Sequence, residues 1–254
     1  MIKGVLFDAG NTLVLFDCEY VSQAVMEAGY SVPPVTVRAA EYRARFAIDC
    51  ELLRRMERQE ALPSGTASMH ASGLWQVYFS TLLGLLGIAE DRRTLIVEKL
   101  LRREKASARG LWHRLEPGLR LVLSELRHRG YRLGVVSNSD GRLRDKFNEL
   151  QLTQYFDFIL DSDEVGIEKP DVRLFHLGLQ RSGLAAEEAL YIGDLYTVDV
   201  LAARRAGIHA LLYDPAGLYH DYEPTVIRWW SDLLRRLPRL IFAEAERSLA
   251  LGAD

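Results

Sequence analysis

The sequence predicts an α/β protein in which a doubly wound parallel sheet is interrupted, after its first strand, by an all-helical inserted domain. Residues 2–7 form a short apolar run that ends at Asp8, as a buried parallel strand does. Residues 17–109 carry apolar residues at helical spacing, and beyond them strand-like and helix-like segments alternate. Such alternation is typical of a parallel sheet whose strands are joined by helices.

Composition and charge describe an ordinary soluble globular protein. Hydrophobic residues make up 48% and charged residues 26% of the 254 residues, and the formal net charge is −3. Because there is no basic excess, we expect no nucleic-acid partner. No stretch has the length and apolar character of a signal peptide or a membrane span, so we expect no membrane association and a cytoplasmic location.

The inserted segment predicts about four helices. Asp17 is a candidate N-cap and Gly29 a candidate stop for the first, and a pair of prolines opens a second, longer helix. Helical spacing over residues 67–87 and 91–106 predicts two more. We therefore predict a helical cap domain of residues 17–109.

The second half of the chain supplies the other elements of the sheet. The strand-like segments are residues 131–137, 156–160, 189–194 and 208–213, and the helix-like segments are residues 141–150, 172–183 and 198–207, with a further helix ending at Gly130. Right-handed crossovers between these strands put residues 2–7 into the same sheet. Residues 1–16 and 110–254 are thus predicted to form the core domain, which we expect to end in a helix.

Polar side chains occur where the predicted strands end. Asp8 follows the first strand, Ser137 ends the next, Lys169 lies beyond the third and Asp194 follows the fourth. In open α/β sheets, ligands bind at the carboxyl ends of the strands, so these residues are expected to meet. Lysine is rare in this chain, where only five of the 32 basic residues are Lys, so Lys169 is a candidate for a specific role.

Four ordered motifs carry a resemblance to a known family. They are "FDAGNTL", "VVSNS", "EKPD" and "GDLYTVDVLAARRAG", within about residues 2–214. The chain thereby resembles the haloacid dehalogenase-like hydrolase superfamily, in the subgroup with a helical cap after the first motif. The resemblance implies that Asp8 is a nucleophile that forms an aspartyl intermediate, and that Ser137 and Lys169 hold the transferring phosphoryl group. It also implies that Asp8, Asp194 and Asp199 organise Mg²⁺.

The chemistry of these residue types agrees with the implied roles. A carboxylate attacks phosphorus only if the negative charge of the substrate is offset, which Mg²⁺ and a nearby lysine can do. The candidate catalytic residues are Asp8 and Lys169, the candidate phosphate ligands are Thr12, Ser137, Asn138 and Lys169, and the candidate metal ligands are Asp8, the Gly10 carbonyl, Asp194 and Asp199. The expected partner is a small, phosphorylated molecule, and the oligomeric state stays open.

The first motif departs from the pattern of phosphatases in this family. Those enzymes have a second Asp two residues after the nucleophile, where it protonates the leaving oxygen and then activates water; here that position is Gly10. General acid–base assistance is worth about 10²–10⁴ in rate. We therefore expect metal binding to survive and ordinary phosphate-ester hydrolysis to be slowed.

Three explanations of Gly10 compete. In the first, phosphate esters are hydrolysed with a substitute acid, such as Asp17, Glu19 or a residue of the cap, or with a good leaving group. In the second, the chain attacks carbon without a metal, as dehalogenases of the superfamily do, and a cap arginine pairs with a substrate carboxylate; the candidates for that arginine are Arg38, Arg43 and Arg45. In the third, the site is degenerate and the protein binds phosphate as a regulatory module.

Two further features bear on these alternatives. The motif "GDLYTVD" looks like the magnesium-binding form of the fourth motif, which argues against metal-free carbon chemistry. Phosphonate hydrolases of the superfamily also lack the second Asp, but they use a cap lysine to form a Schiff base. No lysine occurs between residues 4 and 98, which argues against that chemistry.

Overall fold

The computed structural model describes residues 1–60, 73–107, 109–222 and 225–237. Its strands are β1 (Gly4–Phe7), β2 (Leu15–Phe16), β3 (Trp112–Arg114), β4 (Arg132–Ser137), β5 (Phe158–Asp161), β6 (Ala189–Gly193), β7 (His209–Tyr213) and β8 (Val226–Ile227). Six of them form one sheet in the order β5-β4-β1-β6-β7-β8, with every neighbouring pair parallel. The predicted fold class, an α/β protein with a doubly wound parallel sheet, is confirmed.

The first strand lies in the middle of this sheet. β1 pairs with β4 on one side and with β6 on the other, and all of its residues are buried. Alternate side chains enter two different cores: Val5 and Phe7 pack into one, and Leu6 packs into the other. Because both faces are covered, the strand reads as a continuous apolar run rather than as an alternating one.

The helices of the inserted segment are α1 (Cys18–Glu27), α2 (Pro34–Glu57), α3 (Leu74–Leu85) and α4 (Glu90–Ala106). The Asp17 side chain caps α1 by accepting a hydrogen bond from the amide of Tyr20 at 3.3 Å, and Pro34 occupies the first turn of α2, where its missing N–H costs nothing. These helices share a third apolar core of their own. The predicted domain boundaries at residues 16/17 and 109/110 stay a prediction.

The helices of the second half are α5 (Leu119–His128), α6 (Leu143–Glu149), α7 (Ser162–Val165), α8 (Val172–Ser182) and α9 (Ala202–Arg205), and residues 230–237 are also helical. α9 is preceded by a π-helix at Tyr196–Leu201 and continues it. Of the helices predicted from sequence, residues 67–72 and 238–254 lie outside the described residues. No helix within the described ranges has the length and apolarity needed to span a membrane.

Three short strands and the π-helix were not predicted. β2 and β3 form an antiparallel pair where the chain enters and leaves the inserted helices, and β8 extends the edge of the large sheet. Strands of two or three residues are too short for a periodicity to be read from the sequence. The π-helix depends on a tertiary contact, because the Asp49 carboxylate of α2 accepts hydrogen bonds from the amides of Tyr196 and Thr197 at its start.

Phe7 is the last residue of β1, directly before the candidate nucleophile. The centroid of the Phe7 ring lies 6.0 Å from that of Phe156 and 5.9 Å from that of Trp230. We expect Phe7→Ala to lower the free energy of unfolding by about 3–5 kcal/mol, because it leaves a cavity at the centre of the sheet. Leu121→Ala, at a position 76% exposed on α5, is the control and should stay within about 0.5 kcal/mol. Urea denaturation measures both, and equal effects would contradict this description of the core.

Candidate active site

Asp8 is held by residues from three other parts of the chain. It is the first residue beyond β1, its amide donates to the carbonyl of Ile192 at 2.8 Å, and its side chain is buried. Oδ1 of Asp8 accepts hydrogen bonds from Ser137 Oγ at 2.9 Å and from Lys169 Nζ at 2.6 Å. The structure therefore brings three of the predicted site residues into direct contact.

Lys169 joins two carboxylates. Its Nζ lies 2.6 Å from Asp199 Oδ1 as well as from Asp8 Oδ1, and 3.0 Å from the hydroxyl of Tyr191. Burial acts to lower the pKa of Lys169, but Asp199 and Asp8 outweigh it and raise that pKa above its ordinary value, so the ammonium stays charged.

Asp199 is fixed on its other side by the main chain. Its Oδ2 accepts a hydrogen bond from the amide of Leu195 at 3.0 Å. An added Cβ at Gly193 would overlap the Asp199 carboxyl group, so a glycine is required at the end of β6. The motif that follows β6 thus places Asp199 by close packing as well as by hydrogen bonding.

Three carboxylates gather at this point. Asp8, Asp194 and Asp199 each offer an oxygen within 4.8 Å of the others, and all are buried. Burial raises the pKa of Asp8, although Lys169 acts against it, and burial raises the pKa of Asp194 to about 8, although Arg45 acts against it. An all-oxygen donor set of carboxylates is the kind that Mg²⁺ prefers, and a divalent cation would offset the cost of burying these charges together. The residues present therefore fit the predicted metal.

Asp194 also has a partner from the inserted helices. Its Oδ2 accepts a hydrogen bond from the guanidinium of Arg45, on α2, at 2.8 Å. Nε of Arg45 lies 2.8 Å from Oε1 of Glu41, one turn earlier on the same helix, and Tyr78 donates to that carboxylate at 3.3 Å. All of these side chains are buried. A chain of polar contacts thus runs from the inserted helices to the candidate metal ligand.

The candidate phosphate ligands differ in what they contact. Thr12 is buried, and its hydroxyl has no hydrogen-bond partner within the described part of the chain, so it has a free donor for an anion. Asn138 donates to the carbonyl of Lys169 at 2.9 Å and accepts from the Lys169 amide at 2.8 Å. The oxygen and the nitrogen of the Asn138 side chain thus both hold the loop that carries Lys169. Phosphate binding by Asn138 stays a prediction.

The loop at Gly10 has room for a side chain. No heavy atom lies within 4 Å of a Cβ built at this position. The next residue, Asn11, has a φ of 54°, in the left-handed region that Asn tolerates better than most residues, and its Oδ1 accepts a hydrogen bond from Trp112 Nε1 at 2.9 Å. Metal binding through the Gly10 carbonyl stays a prediction.

Several residues considered from sequence make their contacts elsewhere. Asp17 caps α1 and lies 3.3 Å from His113 Nε2, and Glu19 lies at the surface, 3.4 Å from Arg114. Of the three candidate arginines, only Arg45 contacts the carboxylate cluster: Arg38 is half-buried beside Tyr42, and Arg43 is exposed.

Three residues of the site were missed by sequence reasoning. Tyr191 donates to the Val136 carbonyl at 2.8 Å and contacts Lys169, and burial raises its pKa well above the ordinary value, so the phenol stays protonated. Glu41 and Asp49 face the core from α2. The sequence held two patterns that could have pointed to these residues. Tyr191 carries a hydroxyl inside an otherwise apolar strand, and Glu41 and Asp49 fall on the apolar face of a predicted helix.

Comparison with known proteins agrees with the fold and with these motifs. Residues 2–207 match the family described as haloacid dehalogenase-like hydrolase, so the chain belongs to that family and the sequence-based resemblance is confirmed. The chain is also similar in structure to a putative HAD-hydrolase from Bacillus subtilis bound to magnesium. That structure is 21% identical with a TM-score of 0.60, and the match covers 93% of this chain and 98% of the other. At this identity the likeness shows the fold.

Curated relatives match over part of their length. Haloacid dehalogenase-like hydrolase domain-containing protein 3 of Mus musculus is 42% identical over 101 residues, 40% of each chain. Glyceraldehyde 3-phosphate phosphatase of Methanothermobacter thermautotrophicus is 38% identical over 97 residues, 38% of this chain and 43% of the relative. Phosphoserine phosphatase of Thermus thermophilus is 36% identical over 137 residues, 54% of this chain and 53% of the relative. The chain thus belongs to the haloacid dehalogenase-like hydrolase family and has phosphatases among its relatives, each matched over about half of its length or less.

Removing the Lys169 charge should destabilise the fold in a pH-dependent way. Lys169→Met leaves buried carboxylates without their shared cation, and we expect the free energy of unfolding at pH 7.5 to fall by about 3–5 kcal/mol. The pKa of Asp8 is already raised by burial, and without Lys169 it should rise further. When a carboxyl group has a higher pKa in the folded state than in the unfolded state, the protein becomes less stable as the pH rises from the unfolded pKa through the folded one. The stability lost on Lys169→Met should therefore be smaller at pH 4.5 than at pH 7.5.

The same substitution at an exposed lysine, Lys105→Met, is the matched control and should change little at either pH. Urea denaturation at pH 4.5 and 7.5 measures both variants. A loss of equal size at the two pH values would show that Lys169 does not act through the charge of its carboxylate partners.

Proposed function

We propose that the chain is a Mg²⁺-dependent phosphatase that acts on small phosphorylated molecules through an aspartyl-phosphate on Asp8. The observation that carries this proposal is the group of three buried carboxylates, two of which share the ammonium of Lys169. Lys169 and Arg45 offset two of the three negative charges, so a further cation would offset the third, and carboxylate oxygens are ligands that Mg²⁺ prefers. The phosphatases among the relatives support the same class of substrate.

The contacts of Asp8 suggest how it is oriented. Ser137 and Lys169 both bind its Oδ1, so we assign Oδ2 as the attacking atom. In the first step the bond from Oδ2 to phosphorus forms, and the bond from phosphorus to the ester oxygen breaks. In the second step water attacks the phosphorus, which releases inorganic phosphate and restores the carboxylate.

The remaining residues are assigned to binding. Thr12, Ser137 and Lys169 would donate hydrogen bonds to phosphoryl oxygens, and the free hydroxyl of Thr12 supports this assignment. Asp8, the Gly10 carbonyl, Asp194 and Asp199 would hold Mg²⁺, with Asp199 bound directly or through a water. When bound, the metal supplies charge that offsets the phosphoryl group.

Because position 10 is a glycine, the oxygen of the leaving group lacks its usual proton donor. Asp17 and Glu19 make their contacts away from the carboxylate cluster, which gives no support to either as a substitute acid. We therefore propose that the enzyme favours substrates whose leaving group departs without protonation, such as aryl or acyl phosphates.

Metal-free attack on carbon is the second candidate function. The absence of an Asp at position 10 favours it, and so does the cap arginine Arg45, which already lies at the carboxylate cluster. Departing halide needs no proton, and a guanidinium can pair with a substrate carboxylate. The observation against metal-free attack on carbon is the group of three buried carboxylates, a set of ligands that suits a divalent cation.

The metal assignment is tested by Asp194→Asn. The substitution keeps the size of the side chain but removes its negative charge, so we expect Mg²⁺ affinity to fall by about tenfold or more. Isothermal titration calorimetry with MgCl₂ on the full chain measures this. Asp163→Asn, in α7, is a control with the same chemistry, and unchanged affinity in Asp194→Asn would place the metal elsewhere.

The missing proton donor is tested by Gly10→Asp. We expect the unmodified enzyme to cleave aryl phosphates much faster than alkyl phosphates, because only the former leave readily as anions. A Cβ at position 10 meets no other residue, and Gly10→Asp should speed alkyl phosphate hydrolysis by about 10²-fold or more while changing aryl phosphate hydrolysis little. Plots of log kcat/KM against leaving-group pKa measure this dependence.

Asp8→Asn controls for contaminating phosphatases and should abolish turnover in both backgrounds. A shallow dependence on leaving-group pKa in the unmodified enzyme would indicate a substitute acid. Halide release from a 2-haloacid without metal, together with no activity on any phosphate, would establish the second candidate instead. Mg²⁺ binding without either activity would leave a phosphate-binding role.

A further inference from the structure

Arg45 is the cation that the inserted helices bring to the candidate metal ligands. Its guanidinium lies 2.8 Å from Asp194 Oδ2, and both side chains are buried. Burial acts to lower the pKa of Arg45, but Glu41 and Asp194 raise it, so the guanidinium carries its full charge. Asp194 is therefore neutralised by α2 at the position where Mg²⁺ binding is proposed.

We infer that Arg45 competes with the divalent cation for Asp194, so that metal binding and the contact of α2 with this carboxylate oppose each other. This inference rests on the proposed metal site. A carboxylate that already carries a guanidinium at hydrogen-bond distance has less negative charge to offer a second cation. The repulsion between the two cations is weakly screened because the site is buried.

Arg45 has other partners when it leaves Asp194. Its Nε lies 2.8 Å from Glu41, which moves with it on α2, and its guanidinium lies 4.9 Å above the ring of Tyr42. The displaced guanidinium would therefore keep an ion pair and an aromatic neighbour, which lowers the cost of the displacement.

The competition also affects how α2 sits on the sheet domain. α2 makes two polar contacts with the region after β6: Arg45 with Asp194, and Asp49 with the amides of Tyr196 and Thr197. If the metal removes the first contact, α2 keeps the contact made by Asp49 and its aromatic packing on the sheet domain. By thermodynamic linkage, a cation that weakens this contact binds more tightly to the conformation in which α2 has moved away.

The test measures Mg²⁺ affinity in the absence of substrate. Isothermal titration calorimetry of the full chain with MgCl₂ at pH 7.5 should give a dissociation constant about tenfold or more lower for Arg45→Gln than for the unmodified protein. Arg43→Gln, on an exposed position of the same helix, is the matched control and should leave the constant unchanged.

A second variant guards against misfolding. Arg45→Gln leaves Glu41 buried without its cation, so the double variant Glu41→Gln/Arg45→Met removes both charges together and should show the same gain in affinity. Small-angle scattering gives an independent readout: MgCl₂ should increase the radius of gyration of the unmodified protein and have a smaller effect on Arg45→Gln.

The possible outcomes separate the inference from the proposed function. Unchanged affinity in Arg45→Gln and in the double variant would overturn the inference while leaving the metal site in place. Weaker binding would also overturn it, because Arg45 would then be a residue that orients Asp194 for the metal. No Mg²⁺ binding by any of the four proteins would overturn both the inference and the proposed metal site.

Discussion

The site depends on one buried ammonium that is shared by two carboxylates. Lys169 can remain in the interior only because Asp8 and Asp199 both lie 2.6 Å from it, and those carboxylates can remain there only because Lys169 is charged. Removing Lys169 would leave two buried carboxylates without their shared cation. Much of the surrounding structure serves this arrangement: the amide of Asn138 holds the Lys169 loop, and Gly193 makes room for Asp199.

The fold brings these charges together because parallel strands end at one edge of the sheet. β1 lies between β4 and β6, so Asp8 is a neighbour of the residues that follow these strands, although it is more than a hundred positions from them in the chain. The inserted helices approach the same edge, where α2 supplies Arg45 and Asp49. The two connections to these helices pair as β2 and β3, and Trp112 of β3 binds Asn11 in the loop that carries Gly10. The loop that follows Asp8 is thus joined to the connection between the two regions.

Gly10 stands where phosphatases that resemble this chain have a second Asp. The loop around it is ordered by main-chain hydrogen bonds, from the amide of Asn11 to the Val14 carbonyl and from the amides of Leu13 and Val14 to the Ala9 carbonyl. The position has space for a larger residue, so packing does not require a glycine there. The absence of an acid is therefore a chemical property of this chain rather than a consequence of its fold.

The sequence by itself determined the parallel sheet, the helical insertion and the identity of the strand-end residues Asp8, Ser137 and Lys169. These features follow from local information: apolar runs, helical spacing, and polar residues at the ends of predicted strands. The tertiary structure alone decided which oxygen meets which cation. The contact of Arg45 with Asp194 joins residues 149 positions apart, and Tyr191 was hidden because its phenol meets Lys169 only after strands and loops pack together. Such contacts depend on the packing of distant elements, which no local pattern in the sequence encodes.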